Sequence, residues 1–365
     1  MKKLMMIAVV TLASASAFAS KARLSALSYN GSNTNGLSAN APHLIDTQTI
    51  FVNPADLTTM GSWATFETGS TDATPATTPN TAPNAEAGFA RASGDARWGF
   101  YLGHGTVASF SREQAAPTIY LIEENPINLF YAAKMADISW GLGLNYSASD
   151  KKTTGVGALG KQSTTGITGG MRMGPWDASL GLGVVDTAEV GTNKWTGKMN
   201  ADLRAGYAMD TWYFYGQYAM TGGKHEVGGA ATTEYDNNAI RIGAINTTKV
   251  DGGEFFWGAS YLMDKVEQKV GAGTKTESNL LPVVVGIEAD AASWLVLRGS
   301  VTQTVLLSSV KNATDTRTKA NDTTVAAGAG IKFNKFTLDG SLAGSTTGQI
   351  NGGSLLANAG LTYNF

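Results

Sequence analysis

The chain ends with 355-LLANAGLTYNF-365, and this stretch decides the fold class. One set of alternate positions is apolar or aromatic throughout: Leu355, Ala357, Ala359, Leu361, Tyr363 and Phe365. The positions between them carry mostly polar or small side chains, among them Asn358, Thr362 and Asn364. Because successive side chains of a β-strand point to opposite faces of its sheet, this pattern predicts a strand with one apolar and one polar face.

The same alternation recurs in segments of about ten residues, the length of a strand that crosses a bilayer. Clear examples are 138–146 and 195–207. Short turns and long polar connections alternate between these segments. The short turns fall near 93–95, 135–137, 173–175, 209–210, 247–252, 290–291 and 334–335. The long connections fall at 70–85, 103–126, 148–163, 187–194, 222–235, 266–278, 308–320 and 345–353.

Short turns on one rim and long loops on the other are typical of a transmembrane antiparallel β-barrel whose short turns face the periplasm. Counting the segments predicts an all-β barrel of about sixteen strands, with fourteen also possible, over residues 59–365. The composition agrees, because charged residues are only 15% of the chain and 44 of its 365 residues are glycine. No stretch after residue 20 is apolar for eighteen residues in a row, so we expect no membrane-spanning helix.

The first nineteen residues have the three parts of a secretory signal peptide. Lys2 and Lys3 precede an apolar run, and Ala17-Phe18-Ala19 closes a tail of small residues before the expected cleavage at Ser20. Cleavage there leaves about 346 residues (365 − 19). The chain has no cysteine, which excludes a disulfide framework, and its formal net charge of −2 gives no reason to expect a nucleic-acid partner.

Aromatic residues recur near the start of each strand that runs from the short-turn rim to the long-loop rim. They predict a girdle of aromatic side chains at one membrane interface. The predicted girdle is Trp63, Trp98, Trp140, Trp176, Trp212, Trp257, Trp294 and Phe336. Their spacings lie between 35 and 45 residues, near the 38 expected for eight hairpins over residues 59–365 (307 / 8). Indole rings favour the headgroup level, where the ring is in an apolar environment and the N–H can still be satisfied. In the strand that follows, the apolar outward-facing positions have odd numbers, so Trp294 is expected on the lumen side or in the turn.

The carboxyl-terminal strand resembles the insertion signal of Gram-negative outer-membrane proteins, with Leu361, Tyr363 and Phe365 as its apolar face. This resemblance implies a multi-pass protein of the bacterial outer membrane that is exported through the periplasm. It also implies outer-membrane lipid and lipopolysaccharide as surroundings and the barrel-assembly machinery as a partner through this strand. A homotrimer is a further possibility for proteins of this class.

Residues near the amino terminus resemble the long-chain fatty-acid transporter family. The resemblance rests on Asn35-Gly36-Leu37, on 52–57 with its turn Asn53-Pro54-Ala55, and on Ala64-Thr65-Phe66. In that family a similar segment is a hatch inside the barrel that gates lateral passage of hydrophobic substrates. Residues 20–58 are therefore expected to form an inserted hatch or plug, with a disordered periplasmic leader as the alternative. The strand count and a polar pore face differ from the family.

Charged residues occupy the alternate strand positions whose side chains point away from lipid, and they predict a water-filled pore. Those residues are Arg97, Arg172, Lys198, Asp202, Arg204, Arg241, Glu254, Glu288, Arg298, Lys332 and Asp339. Arginine or lysine on the lipid face costs roughly 2–4 kcal/mol near mid-membrane, so their inward parity is physically required. We therefore expect a porin-like channel for passive diffusion of small hydrophilic solutes, with Arg204, Arg241 and Arg298 as a basic cluster that favours anions.

Three alternatives remain: a hatch-gated transporter of hydrophobic substrates, a structural or adhesin barrel, and an enzyme. The longest loop, 103–126, carries the apolar piece 119–122 and is expected to fold inward and narrow the pore. An enzyme is the least favoured reading, because the three histidines, His43, His104 and His225, lie outside any recognisable nucleophile motif. Neither a metal nor a cofactor is expected, since carboxylates and histidines do not cluster at ligand spacing.

Overall fold

A computed structural model of the chain describes twelve stretches of residues and the single residues Arg112 and Glu123. They are 20–28, 40–69, 85–105, 112, 120–121, 123, 125–151, 160–228, 231–269, 273–305, 309–311, 317–318, 323–345 and 358–365. The predicted signal peptide, residues 1–19, lies outside these ranges.

Almost all of the regular structure is antiparallel β-strand, numbered here in chain order. The first seven strands are β1 (Trp63–Gly69), β2 (Ala85–Ser93), β3 (Ala96–Leu102), β4 (Ile127–Met135), β5 (Ile138–Lys151), β6 (Gly160–Met173) and β7 (Trp176–Val190). The next four are β8 (Asn193–Gly197 and Asn200–Met209), β9 (Trp212–Val227), β10 (Ala231–Val250) and β11 (Gly253–Lys269). The last five are β12 (Thr274–Leu280 and Pro282–Ala292), β13 (Leu295–Thr304 and Ser309–Lys311), β14 (Arg317–Thr318 and Thr323–Phe333), β15 (Phe336–Ser345) and β16 (Asn358–Asn364).

Each strand pairs with its neighbours in sequence, and β16 pairs with β1 to close the sheet. At the closure Leu361 of β16 lies opposite Phe66 of β1, and on its other side it lies opposite Leu338 of β15. The two pieces of β8 share the same two neighbours, as do those of β12, so each counts as one interrupted strand. The prediction of a closed antiparallel barrel with about sixteen strands is confirmed. The first strand begins at Trp63, slightly later than the predicted boundary at residue 59.

Tight turns join the strands at the rim where β1 begins. Residues at their corners adopt left-handed backbone conformations, such as Gly94 at φ 60° and Asn334 at φ 51°, which two-residue hairpin turns require. Short turns of outer-membrane barrels face the periplasm, so this is the periplasmic rim and the opposite rim is extracellular.

The extracellular rim differs in part from the sequence prediction. Three of the eight predicted long connections, 187–194, 222–235 and 266–278, are largely strand: β7, β9, β10 and β11 continue through them. Only Gly191 and Thr192 separate β7 from β8. These stretches are polar on both faces, because a hairpin that extends beyond the bilayer is in contact with water on its outer face as well as its inner face. Their sequences therefore resemble those of loops even though their backbones are paired in strands.

The two faces of the wall carry different side chains, as the alternation predicts. On β1 the side chain of Phe66 is 64% exposed to the outside, whereas its neighbours Thr65 and Glu67 are buried inside. On β5, Leu142 and Leu144 are exposed outside and Asn145 is buried inside. A closed barrel with an apolar exterior satisfies every backbone group without water and is suited to a bilayer. The protein is a multi-pass β-barrel of the bacterial outer membrane.

No helix in the described ranges has the length and hydropathy needed to cross a bilayer.

Most of the predicted girdle faces outward near the periplasmic rim, as the exposed rings of Trp98, Trp176, Trp257 and Phe336 illustrate. Trp63 does not, because its side chain is 1% exposed and packs inside the barrel with Met60 and Tyr101. Trp63 lies two residues before the buried Thr65 and points to the same inner face. Its prediction as a girdle residue, which rested on regular spacing along the chain, was therefore wrong. Trp294 lies in the turn between β12 and β13, where it is exposed.

An arginine on the outer face tests the membrane depth of β5. We expect Leu142→Arg to lower the free energy of unfolding by about 2–4 kcal/mol, because its guanidinium would lie near the bilayer midplane. Ile138→Arg, on the same face but at the periplasmic end of the strand, should cost only about 0–1 kcal/mol. Urea unfolding of the refolded protein in lipid vesicles measures both, and equal losses would contradict the assigned depth.

Candidate functional site: the amino-terminal segment inside the barrel

Residues 20–28 and 40–62, called the amino-terminal segment here, lie inside the barrel. The segment contains a short helix, α1 (Lys21–Ala26), and two 3₁₀ helices, Thr49–Phe51 and Pro54–Thr59. Most of its side chains are buried, including Leu24, Leu27, Ile50 and Leu57. The segment is connected to the wall at Trp63, so it occupies the periplasmic part of the lumen.

The predicted hatch turn, Asn53-Pro54-Ala55, begins the second 3₁₀ helix. Asn53 Oδ1 accepts a hydrogen bond from the backbone N–H of Ala55 at 3.1 Å, and Pro54 supplies the fixed φ of the first helical position. The turn lies directly on the inner face of β5 and β6. A Cβ atom on Gly141 would come within 2.5 Å of the Pro54 carbonyl carbon, and one on Gly170 within 2.0 Å of Asn53 Oδ1. Glycine at these two wall positions therefore permits the close approach.

Arg23 of α1 is the centre of a largely buried ion-pair network of five residues. Its guanidinium Nε lies 2.8 Å from Glu288 Oε2 of β12, and its Nη1 lies 2.9 Å from Asp46 Oδ2. Glu288 also pairs with Arg298 of β13 at 2.5 Å, and Arg298 pairs in turn with Asp339 of β15. Two pieces of the amino-terminal segment and three strands of the wall are thus joined through alternating charges.

Burial shapes the protonation of the two members that belong to the segment. Burial raises the pKa of Asp46 to about 6, while Arg23 and the Thr47 hydroxyl act in the opposite direction. For Arg23, burial lowers the pKa, but the carboxylates of Glu288 and Asp46 raise it by more, so the guanidinium stays charged. The network therefore retains its cationic centre at any physiological pH.

A second network ties the 3₁₀ helix Pro54–Thr59 to the opposite side of the wall. Arg172 Nε of β6 lies 2.6 Å from Asp56 Oδ1, and Asp56 Oδ2 accepts a hydrogen bond from Thr49 Oγ1 at 2.5 Å. Asp177 of β7 lies 3.9 Å from both Arg172 and Arg204. Arg204 completes the group, because Tyr213 Oη lies 2.9 Å from its Nη2 and also donates to Asp177.

Residues 40–44 meet a third region of the wall, on β8 to β11. The guanidinium of Arg204 donates to the carbonyl of Pro42, and Arg241 donates to Asn40 Oδ1 at 3.3 Å. His43 lies 3.5 Å from Glu254 and makes an edge contact with the ring of Phe256. The segment therefore contacts strands around most of the circumference.

A fourth contact joins both parts of the segment to β1, β2 and the start of loop 103–126. The ammonium of Lys21 pairs with Glu86 of β2, and Glu86 also lies 3.1 Å from His104 Nδ1. Phe51 stacks on the His104 ring with their centroids 3.5 Å apart. The backbone N–H of Lys21 donates to Glu67 Oε2 of β1 at 2.8 Å. Removing the segment would take the Lys21 donors away from both carboxylates and leave Glu86 with His104 and Glu67 with Thr65.

Two apolar clusters fill the spaces between the polar contacts. In the first, leucines of the segment contact Tyr215, Ile245, Phe256 and Val284 of the wall. In the second, Ile50, Leu57 and Met60 contact inward-facing aromatic residues of β1, β3 and β4. The side chains at the centres of these clusters are buried, so apolar burial as well as charge holds the segment in place.

Nearly all of the residues predicted to line the pore do face inward, but most contact protein rather than open water. Arg172, Arg204, Arg241, Glu254 and Glu288 all contact the amino-terminal segment directly. In the Arg23 network, Arg298 pairs with Glu288, and Asp339 pairs with Arg298. The prediction of a water-filled lumen is therefore wrong for the periplasmic half. The amino-terminal segment, which the alternation pattern cannot reveal, fills that half.

The remaining predicted lining residues lie outside these networks. Arg97 donates to the Met60 carbonyl of the segment at 3.4 Å and to backbone carbonyls near the periplasmic turn, and Lys332 pairs with Asp290 at that rim at 2.8 Å. Asp202 accepts two hydrogen bonds from Gln217 on the inner face of the wall. Lys198 was assigned wrongly: it lies at the break in β8 and pairs with Glu234 and Asp236.

The error at Lys198 has a structural reason. Asp236 precedes the buried, inward-facing Asn237 on β10 and so points outward. The interruption of β8 between Gly197 and Asn200 shifts the parity of the strand, which simple alternation counting does not detect.

Arg204, Arg241 and Arg298, which were predicted to form a basic cluster, belong to three separate strands, β8, β10 and β13. Each is buried with its own partners.

Loop 103–126 reaches inward at its described residues, as its apolar piece suggests. Arg112 is 1% exposed and lies 3.4 Å from Asp186 of β7, and its Nη1 donates to the Thr187 carbonyl. Tyr120 is buried in a cluster with Trp195 and lies beside His225. These contacts lie near the extracellular ends of β7 to β9, whereas the start of the loop, at His104, contacts Phe51 of the amino-terminal segment.

Sequence reasoning missed several members of the site. Glu67 and Glu86 lie on strands with weak alternation, and Asp56 and Asp177 carry no motif. Their carboxylates nevertheless point into the barrel from the wall or belong to the segment itself, and each is buried. A buried carboxylate needs a partner, so a search for inward acids on β1, β2 and β7 could have identified the basic face of the segment. In the described ranges, no group of three or more potential ligands could hold a metal ion.

Comparison with solved structures returns other membrane barrels. OmpT, an outer membrane protein of Vibrio cholerae, is 11% identical over 84% of this chain and 96% of its own, with a TM-score of 0.39. The CymD monoaromatic hydrocarbon channel is 12% identical over 88% and 93%, with a TM-score of 0.39. The Pseudomonas putida toluene transporter TodX is 12% identical over 94% and 95%, with a TM-score of 0.37. No protein-family model and no curated protein matches the chain.

Loss of the Arg23 guanidinium tests how strongly the segment is held. Arg23→Ala would leave Glu288 and Asp46 buried with one fewer counter-charge, so we expect a loss of about 3–5 kcal/mol. Urea unfolding in lipid vesicles, followed by the fluorescence of Trp63 and its neighbours, measures the change. The control is Lys161→Ala, which breaks the exposed pair with Glu189 and should leave stability unchanged. Equal effects of the two variants would show that the Arg23 network does not hold the segment.

Proposed function

We propose that this protein is a gated outer-membrane channel for small hydrophilic solutes, with the amino-terminal segment as the gate. The observation that carries the proposal is the placement of residues 20–28 and 40–62 across the periplasmic part of the lumen. A barrel of sixteen strands is wide enough for an aqueous channel, so a free passage requires that such a segment moves.

The solute class follows from the wall beyond the segment. Inward-facing side chains there are mostly uncharged amides and hydroxyls: Asn128, Asn145, Ser147, Gln162, Thr164, Asn200, Gln217 and Thr221. Such groups exchange hydrogen bonds with water or with a polar solute at little net cost. A wall of this kind favours polar solutes and has no strong preference for either sign of charge.

The contacts of the gate support its release as a unit. Its polar contacts to the wall are ion pairs and hydrogen bonds, and the groups freed on release would face a water-filled lumen that can solvate them. The two apolar clusters oppose release, because they would expose leucine and aromatic side chains. The closed state should therefore dominate at rest, with openings as the minor population.

A hatch-gated transporter of hydrophobic substrates is the second candidate. It is favoured by the apolar strip on the wall, Tyr215, Ile245, Phe256 and Val284, which displacement of Leu24 and Leu44 would uncover. The resemblance of the Asn53-Pro54-Ala55 turn to the long-chain fatty-acid transporter family points the same way. Swelling of protein-containing liposomes in isotonic sugar, followed for long enough that rare openings add up, separates the two candidates, since only the hydrophilic channel admits sugar.

Deletion of residues 20–58 tests the gate. We expect single-channel conductance near zero for the full mature chain and steady ohmic conductance after the deletion, because the lumen then opens along its length. Large conductance from both proteins would contradict gating and favour an open porin. Absence of conductance from both would favour a structural or adhesin barrel.

A reversible lock gives the matched control within one protein. Ser28 Oγ of the segment lies 2.7 Å from Ser300 Oγ of β13, so cysteines at both positions are placed to form a disulfide in a chain that has no other cysteine. The oxidised double variant should show no openings, and the reduced one should gate as the wild type does. Unchanged gating after oxidation, with the disulfide verified by mass, would mean that the segment does not move.

A further inference from the structure

Glu67 of β1 is a buried carboxylate without a cationic partner in the part of the chain that the structure describes. Its side chain is 4% exposed, and it accepts hydrogen bonds from the backbone N–H of Lys21 at 2.8 Å and from Thr65 Oγ1 at 3.3 Å, with the side chains of Gln48 and Tyr101 as further hydrogen-bond partners. The nearby Lys21 ammonium pairs with Glu86 instead. Burying a charge without a counter-charge is costly, so the ionised form of Glu67 would be stabilised by an additional cation at this place.

Ser20 lies next to this carboxylate. It is fully buried, and it packs so tightly on β16 that a Cβ atom on Gly360 would come within 2.2 Å of its own Cβ. The nitrogens of consecutive residues are at most about 3.6 Å apart by bond geometry. Because the nitrogen of Lys21 lies 2.8 Å from Glu67 Oε2, the nitrogen of Ser20 lies within about 7 Å of the same oxygen.

The backbone of Ser20 is strained in the uncleaved chain. Its φ is 60° with ψ 149°, a region that residues with a side chain rarely adopt. The φ angle exists only while a residue precedes Ser20. The predicted signal-peptide cleavage between Ala19 and Ser20 would therefore remove the strain at the position where Ser20 is already fixed.

We propose that the α-ammonium of Ser20, produced by that cleavage, is the missing counter-charge of Glu67. Hydrolysis adds water across the Ala19–Ser20 peptide bond, which leaves a carboxylate on the released piece and an amine that takes up a proton on Ser20. The new cation can approach Glu67 by a rotation about the first bonds of the chain. This inference rests on the predicted cleavage site and does not depend on gating.

The pairing links export to closure of the barrel. An unprocessed chain presents a neutral amide at Ser20 and must continue past the tight contact with Gly360. Only the processed chain supplies a charge that matches the buried acid, as in other sites that capture an amino terminus. The segment should therefore seat fully only after the signal peptide has been removed.

Chemical reactivity of the terminal amine tests the proposal on the full mature protein. An aldehyde reagent selective for α-amines is added to the native protein in vesicles, and intact mass follows the labelling. We expect labelling of the wild type to be about tenfold slower than labelling of Glu67→Gln, since an ion pair keeps the amine protonated and covered. Glu67→Asp keeps the charge and should label slowly. Glu86→Gln, which removes the neighbouring acid that pairs with Lys21, should also label slowly.

Two results would overturn the proposal. One is equal labelling of the wild type and Glu67→Gln, with both shown to be folded by heat-modifiable mobility. The other is a mature chain whose first residue is not Ser20. If Glu67→Gln does not fold, the labelling rate of the folded wild type is compared with its rate after unfolding in urea. Equal rates in the folded and unfolded protein would contradict the pairing. A protected amine together with unchanged conductance on deletion of 20–58 would refute the gate and leave this pairing intact.

Discussion

The structure depends on one constraint: in a bilayer, every backbone N–H and C=O must be paired within the protein. A sheet meets this condition only if it closes, and the pairing of β16 with β1 provides the closure. Closure fixes the rest of the architecture. Outward positions face lipid and must be apolar, and inward positions face an enclosed space in which charged side chains need water or partners. The amino-terminal segment brings partners into that space: its Arg23 pairs with Glu288 of the wall, and its Asp56 pairs with Arg172.

The segment and the wall are complementary in charge. Residues 20–28 carry Lys21 and Arg23, which meet Glu86 and Glu288, whereas Asp56 in the later part meets Arg172. Breaking one buried pair leaves another charge stranded, so the contacts are stable together and costly to lose singly. Displacement of the whole segment is different, because water would enter and solvate both sides. The closed state of the proposed gate would therefore resist local fluctuation and could still open as a unit.

The sequence predicted the features that follow from period-two alternation, and it failed where another factor decides the direction of a side chain. Leu142 and Leu361 were placed correctly because each lies in an uninterrupted strand. Lys198 was placed wrongly because β8 is broken beside it, and Trp63 because spacing along the chain carries no information about parity. The filled lumen could not be derived from alternation at all, because residues 20–62 have no strand pattern. Only the resemblance of the turn at Asn53 to a known hatch pointed to it.

Hydrogen exchange of the protein in lipid nanodiscs tests the central claim, that the amino-terminal segment is folded inside the barrel, most directly. The backbone N–H groups of Leu24, Asn53 and Asp56 donate within the segment, at 3.3, 2.8 and 3.0 Å, and are buried under the wall contacts. Peptides that cover 20–28 and 49–60 should therefore exchange orders of magnitude more slowly than an unfolded chain. Exchange of both peptides at the rate of an unfolded chain would contradict the account.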